Sequence, residues 1–123
     1  MNKTILIVDD SESIREFLVF ALSNHGFNVL SGINGKDGLK YFTNYTKEID
    51  LVITDLHMPE MDGIQLIEEI RKLEKFKHLP ILFLTTESGL EQKMKAKKAG
   101  ATGWIIKPIS PEKIIGILNK CLR

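Results

Sequence analysis

Apolar runs of three or four residues, each ending at a polar residue, constrain this chain more than any other feature. Three stretches are continuously apolar, at residues 5–8, 51–53 and 81–84. A strand with one face in water alternates apolar and polar residues, so an unbroken run predicts a strand buried on both faces. Two further β-rich stretches, at 27–30 and 104–106, complete a set of five predicted strands.

Helical patterns separate these strands. In the first, apolar residues from Ile14 to Leu22 recur at i, i+3, i+4, i+7 and i+8, the spacing of one buried helix face. Ser13 and Glu16 have the spacing of a capping box, and Gly26 is placed to end this helix.

The next three helices are defined less well by their patterns. The segment 36–44 carries Gly38 in its interior, where glycine is unfavourable. The stretch 64–73 repeats an apolar residue every three positions, whereas Leu90 and Met94 give the fourth helix only a thin apolar stripe.

The fifth helix is predicted to begin with Ser110 as N-cap and Pro111 at its first position. Strand and helix thus alternate five times, which predicts an α/β fold with parallel strands. We expect a flavodoxin-like, three-layer α/β/α sandwich with a five-stranded sheet in the order 2-1-3-4-5. The 123 residues contain no linker or low-complexity stretch and fit one domain, 1–123.

Charge is distributed unevenly along the chain, although the net charge is only +1. Residues 1–87 contain 9 Lys/Arg and 14 Asp/Glu, whereas residues 88–123 contain 8 and 2. Four of the basic residues lie on the predicted fourth helix: Lys93, Lys95, Lys97 and Lys98. Because no aromatic residues are interleaved with them, we expect a solvated or protein-facing surface and no nucleic-acid partner.

The cellular compartment follows from two further features of the sequence. Cys121 is the only cysteine, which excludes an internal disulfide and suits a reducing compartment. No apolar stretch approaches the roughly 18 residues needed to cross a bilayer. We therefore expect a cytoplasmic protein without a membrane partner.

Polar residues follow the predicted strands at their carboxyl ends. Asp9 and Asp10 end the first strand, Asp55 the third, Thr85 the fourth and Lys107 the fifth. Ligands of open parallel sheets bind outside these ends where the strand order reverses, here between the first and third strands. Adjacent strands lie about 4.8 Å apart, so carboxylates on these two strands can share one cation.

The chemistry of this residue set points to magnesium and to phosphoryl transfer. Three carboxylates without a thiol or imidazole cluster form a hard, oxygen-only ligand set that suits Mg²⁺ rather than zinc. A carboxylate nucleophile, a divalent ion, the hydroxyl of Thr85 and the ammonium of Lys107 are what phosphoryl transfer requires. We therefore predict that an aspartyl phosphate forms here.

These motifs resemble the receiver domains of response regulators. The matching segments keep their order along the whole chain: VDDS at 8–11, Asp55, MPEMDG at 58–63, TTE at 85–87 and GATGWIIKP at 100–108. Five separated positions that agree in residue type and order are far more specific than any one motif. TTE together with GATGWIIKP is similar in particular to the CheY-like, single-domain chemotaxis branch.

The resemblance implies a role for each acidic position. Asp55 would accept a phosphoryl group from a histidine kinase. Asp10 would bind Mg²⁺ directly and Asp9 through water, while His57 would offer only its backbone carbonyl to the metal.

The resemblance also implies how a signal leaves the site. Thr85 and Lys107 would contact the phosphoryl oxygens, and the bond from Lys107 to Pro108 would be cis. Phosphorylation would draw Thr85 inward with Trp104 following, which would reshape the surface of the fourth helix, fifth strand and fifth helix.

Further expectations concern lifetime and partners. His57 and Glu87 would tune the lifetime of the phosphate, with modest self-dephosphorylation and no turnover as an enzyme. The chain ends with its fifth helix and lacks an output domain, which suits a monomer that carries its message to a protein target such as a flagellar motor component.

The same residues also have purely structural explanations. Asp9 and Asp10 could be a helix N-cap and a first-turn carboxylate. Lys107 could extend to solvent, and Trp104 could be a large, partly buried residue without a switching role.

Other functions remain as alternatives. A single-domain phosphorelay intermediate would use the same site. A magnesium-dependent phosphohydrolase of the haloacid dehalogenase type needs a DxD motif, which the DLH stretch at 55–57 lacks. A flavodoxin would bind a phosphate near Asp9 and Asp10, which would repel it. A binding module without the chemistry is disfavoured because none of the polar positions is missing.

Overall fold

Five strands and five helices alternate between Thr4 and Cys121 in a computed structural model that describes residues 2–44 and 48–123. The strands are β1 (Thr4–Val8), β2 (Asn28–Gly32), β3 (Leu51–Thr54), β4 (Ile81–Thr85) and β5 (Gly103–Ile106). The helices are α1 (Glu12–Asn24), α2 (Gly35–Asn44), α3 (Gly63–Lys72), α4 (Leu90–Ala99) and α5 (Pro111–Cys121). A short 3₁₀ helix, Glu74–Phe76, follows α3.

The strands form one parallel sheet in the order β2-β1-β3-β4-β5, as the sequence predicts. Val8 pairs with Thr54 across β1 and β3, so the next residues, Asp9 and Asp55, leave the sheet side by side. The Asp55 amide donates to the carbonyl of Val8 at 2.9 Å, which fixes the two strand ends relative to each other.

Alternate residues of the central strands supply two cores, one on each face of the sheet. Leu6 and Val52 pack with Leu66, Ile67 and Ala96, which come from α3 and α4. The opposite core joins central-strand residues to four side chains of α1 and α5: Leu18, Leu22, Ile114 and Leu118. The predicted three-layer α/β/α sandwich is therefore confirmed.

Helix α1 begins before Ser13, so the predicted capping box of Ser13 and Glu16 is wrong. Its N-cap is Ser11, whose hydroxyl accepts a hydrogen bond from the amide of Ile14 at 3.3 Å. This residue follows the acidic pair directly, so neither Asp9 nor Asp10 caps the helix. The explanation of the two aspartates as N-cap and first-turn carboxylate is therefore wrong as well.

Helix α2 tolerates a glycine in its interior because the helix approaches the sheet closely there. A Cβ atom at Gly38 would lie 2.7 Å from Cγ2 of the buried Val8. The weak helical pattern of this segment therefore reflects close packing against β1.

Helix α4 presents its apolar side chains to solvent, which the sequence pattern does not reveal. Leu90 is 72% exposed and Met94 is 63% exposed, and only Ala96 of this helix is buried. The apolar stripe is therefore a surface feature and not a core contact.

Gly63 provides a test of this packing because it lies where α3 meets the carboxyl end of β3. A Cβ atom there would overlap the carbonyl oxygen of Asp55 and lie 2.5 Å from Cε1 of Phe83. We expect Gly63→Ala to lower the free energy of unfolding by about 2 kcal/mol, the usual cost of overpacking.

The matched control is Gly116→Ala in α5, because a Cβ at Gly116 meets nothing within 4 Å. This change should raise the free energy of unfolding by about 0.5–1 kcal/mol through helix propensity. Urea unfolding measures both variants, and equal stabilities would contradict the close approach at Gly63.

Candidate functional site

Three carboxylates converge at the carboxyl edge of the sheet, where β1 and β3 end. One oxygen each from Asp9, Asp10 and Asp55 lies within 4.8 Å of the others. Asp9 is buried, Asp55 is half-buried and Asp10 is exposed, so the cluster opens to solvent on one side. This arrangement could hold one metal ion, and its all-oxygen chemistry suits Mg²⁺ with water completing the shell.

Asp9 is the most constrained of the three. Its Oδ1 accepts a hydrogen bond from the amide of Ser11 at 2.9 Å, and its Oδ2 accepts one from Nζ of Lys107 at 3.0 Å. Its own amide donates to the carbonyl of Gly32 at 3.1 Å, and Nη1 of Arg15 donates to its backbone carbonyl at 2.7 Å.

Lys107 crosses from the end of β5 to the acidic cluster. Its Nζ lies 3.0 Å from Oδ2 of Asp9 and 3.4 Å from Oδ2 of Asp55, and its side chain is 15% exposed. Its amide donates to the carbonyl of Thr85, and its bond to Pro108 is cis. The alternative in which this lysine extends to solvent is therefore wrong.

Burial raises the pKa of Asp9, and desolvation is the largest cause. The hydrogen bonds from Ser11 and Lys107 act in the opposite direction, whereas the charge of Asp55 raises the pKa further. Ionisation of the Asp9 carboxylate is therefore less favourable in the folded chain than in water, despite its cationic neighbour.

Thr85 and Trp104 are joined through the backbone of Glu87. The buried hydroxyl of Thr85 accepts a hydrogen bond from the amide of Glu87 at 3.2 Å. The indole Nε1 of Trp104 donates to the carbonyl of the same residue at 3.0 Å, and its ring lies 5.3 Å from that of Phe83. Trp104 is half-buried, yet it is also bound to the loop between β4 and α4.

The side chains of His57 and Glu87 contact each other across two loops at the carboxyl edge of the sheet. Nε2 of His57 lies 3.3 Å from Oε1 of Glu87, with side chains that are 65% and 34% exposed. The hydrogen bond from His57 and then that from the Gly89 amide lower the pKa of Glu87. His57 is solvent-exposed, and its imidazole is not among the groups that form the acidic cluster in the described part of the chain.

Two contacts of this site were missed in the sequence. One is the bond from Arg15 to the carbonyl of Asp9, and the other is the bond from Trp104 to the carbonyl of Glu87. The first could have been found, because helical side chains lean toward the N-terminus and Arg15 lies on the first turns of α1. The second depends on a loop conformation for which the sequence offers no signal.

Fold and cluster together define a doubly wound α/β protein with an acidic, oxygen-ligand site at its topological switch point. Residues 5–119 match the family model of the response regulator receiver domain. The chain therefore belongs to the response regulator receiver domain family.

Named relatives and a solved structure agree with this assignment. The chain is 39% identical to chemotaxis protein CheY-3 of Vibrio cholerae over 97% of its own length and 91% of that protein. It is 38% identical to the probable transcriptional regulator ycf27 of Cyanidium caldarium, over 97% of its own length and 46% of that protein. The crystal structure of CheY4 of Vibrio cholerae superposes with a TM-score of 0.92 at 36% identity, covering 99% of this chain and 100% of that one.

Within the described residues, no helix has the length and apolar character needed to span a membrane.

The raised pKa of Asp9 leads to a testable dependence of stability on pH. Asn has nearly the same shape as Asp without the charge, so we expect Asp9→Asn to raise the free energy of unfolding near neutral pH. The gain is expected without divalent cations, because burial is the largest cause of the raised pKa of Asp9 and it penalises the charged carboxylate.

The sign of the pH dependence follows from the direction of the shift. A carboxyl with a raised pKa stabilises the folded state below its ordinary value of 3.8, and this contribution is lost as the pH rises through the raised value. The advantage of Asp9→Asn should therefore grow with pH above about 3.8. Urea unfolding between pH 4 and pH 7 measures the stability of Asp9→Asn relative to wild type, with Glu68→Gln on the exposed face of α3 as the control. An Asp9→Asn variant that is less stable than wild type at pH 7 would contradict the prediction.

Proposed function

We propose that this receiver domain, residues 1–123, accepts a phosphoryl group from a histidine kinase on Asp55 with Mg²⁺ bound at the acidic cluster. One observation carries the proposal: the carboxylates of Asp9, Asp10 and Asp55 meet within 4.8 Å, and the ammonium of Lys107 lies beside two of them. Likeness to CheY-3 over most of both chains supports a role in chemotaxis.

The residues of the cluster would bind the ion in different ways. Asp10 and Asp55 would bind Mg²⁺ directly with the backbone carbonyl of His57, and Asp9 would bind it through water. Asp10 suits a direct ligand because it is exposed, whereas both oxygens of Asp9 already accept hydrogen bonds. Bound Mg²⁺ would neutralise the clustered carboxylates and the charge of the incoming phosphoryl group.

Asp55 is the nucleophile of the proposed transfer. Its carboxylate forms the new P–O bond as the P–N bond to the kinase histidine breaks, and the released imidazole nitrogen takes a proton from water. Lys107 and the hydroxyl of Thr85 provide positive charge and a hydrogen-bond donor to the phosphoryl oxygens.

Thr85 links this chemistry to the surface. If its hydroxyl turns toward a phosphoryl group, the hydrogen bond that it accepts from the amide of Glu87 is lost. The loop after β4 is then free to shift, and Trp104 shifts with it because its indole is bound to the same loop. This couples the site to the surface formed by α4, β5 and α5.

His57 and Glu87 would set the lifetime of the phosphate. His57 follows Asp55 by two residues and its Nε2 lies 3.3 Å from Oε1 of Glu87, so both side chains belong to the loops that border the acidic cluster. We propose slow self-dephosphorylation, without turnover as an enzyme.

The partner surface is centred on α4. Leu90 and Met94 are exposed there and share a helix face with Lys93 and Lys97 at spacings of three and four residues. This face fits an amphipathic acidic segment of a target such as a flagellar motor component. The domain would act as a cytoplasmic monomer and carry the signal by diffusion.

The phosphoacceptor is tested by replacing Asp55 with Asn. Wild type incubated with Mg²⁺ and acetyl phosphate should gain the mass of one phosphoryl group, and Asp55→Asn should not, because an amide oxygen is a poor nucleophile. Asp37→Asn in α2 is the matched control and should behave as wild type. Intact mass spectrometry measures all three, and a gain that survives in Asp55→Asn would place the acceptor elsewhere.

The partner surface is tested by changing Lys93 and Lys97 to Gln together. Loss of two exposed charges should weaken binding of a synthetic amphipathic peptide rich in Glu and Leu by about fivefold at low salt. The paired change of Lys36 and Lys40 to Gln on α2 is the control. Fluorescence anisotropy measures the affinities, and equal loss in both pairs would contradict a specific role for α4.

A further inference from the structure

Arg15 extends back from α1 toward the acidic cluster. It is the fourth residue of the helix, and its side chain is half-buried. Nη1 donates to the backbone carbonyl of Asp9 at 2.7 Å, the shortest hydrogen bond that Asp9 makes. This direction agrees with the general lean of helical side chains toward the helix N-terminus.

The bonded carbonyl belongs to the peptide group that joins Asp9 to Asp10. Because a peptide group is planar, fixing its oxygen also fixes the plane from which the Asp10 backbone starts. The carboxylate of Asp10 accepts no hydrogen bond from the protein within residues 2–44 and 48–123. Its direction therefore depends on the backbone that carries it.

Electrostatics also favours this placement of the guanidinium. A cation near a helix N-terminus is normally unfavourable because the helix dipole is positive there. Asp9 and Asp10 directly precede the N-cap of α1, so their charges offset that cost. The sequence places Arg15 where it opposes the helix dipole and where it supports the acidic loop.

We propose that Arg15 is a positioning residue for the cation site, which fixes the peptide between Asp9 and Asp10 and so presents the Asp10 carboxylate to Mg²⁺. The proposal rests on the proposed function of the acidic cluster. It assigns Arg15 no contact with the metal or with the phosphoryl group. Removing its hydrogen bond should loosen the loop while the remaining bonds of Asp9 keep that residue in place.

The experiment compares three variants with wild type. Arg15→Met removes the donor and the charge at similar length, Arg15→Lys retains a cation, and Glu16→Gln changes an exposed neighbour on α1. Isothermal titration calorimetry should show Mg²⁺ affinity about tenfold weaker in Arg15→Met, the usual effect of losing a group that orients a ligand. The Mg²⁺ affinity of Arg15→Lys should lie between those of wild type and Arg15→Met, and that of Glu16→Gln should equal wild type.

A second measurement needs no metal. The ¹⁵N order parameters of the Asp10 and Ser11 amides should fall in Arg15→Met without Mg²⁺, while those of β1 stay unchanged. Urea unfolding shows whether each variant is folded. If Arg15→Met does not fold, the order parameters of Arg15→Lys are compared with those of wild type instead.

The outcomes separate the two proposals. Wild-type Mg²⁺ affinity and unchanged order parameters in the Arg15 variants would overturn the positioning role. Absence of Mg²⁺ binding in wild type would overturn the proposed function instead, and the order parameters would still test whether Arg15 fixes the loop.

Discussion

Electrostatic repulsion among three carboxylates at the end of a buried sheet is the constraint on which this molecule depends. β1 and β3 are neighbours, so Asp9 and Asp55 must emerge together, and the pairing of Val8 with Thr54 leaves them no freedom to separate. Lys107 offsets part of the repulsion from the far side, at 3.0 Å and 3.4 Å from their oxygens. The effect of burial is larger than the effect of Lys107 at Asp9, whose pKa remains raised, and the cluster therefore favours the approach of further positive charge.

Most of the fold could be predicted because the apolar runs are long and unbroken. Residues 5–8 and 81–84 are predicted to be buried strands, and the structure places them on either side of the central strand β3. Boundaries were less certain where a local pattern competes with packing. The hydroxyl of Ser11 rather than that of Ser13 caps α1, since the chain turns directly after the acidic pair.

Helix α4 marks the limit of reasoning from apolar spacing. Leu90 and Met94 lie four residues apart, as in a core-facing stripe, yet both are exposed. Ala96 is the buried residue of this helix, and Ala99 packs partly buried against the same core. Spacing cannot distinguish an apolar stripe that packs inward from one that faces a partner. The acidic cluster, by contrast, could be predicted, because parallel strands place their carboxyl ends at one edge.

The hydrogen-bonding contacts around that cluster depend on geometry that residue types do not encode. Glu87 contacts Thr85 through its amide, Trp104 through its carbonyl and His57 through its side chain. Only the loop conformation brings these together. The sequence identifies the chemical groups of the site, whereas the conformation of the loops determines which of these groups contact one another.

Close packing beneath Asp55 gives the site a direction. The start of α3 presses against the Asp55 backbone, with no room at Gly63 even for a methyl group. The backbone of Asp55 therefore has little room to move toward α3 when a group is attached to the Asp55 side chain. Because the packing against α3 is rigid, a small change at Asp55 would displace the side of the site that faces away from α3.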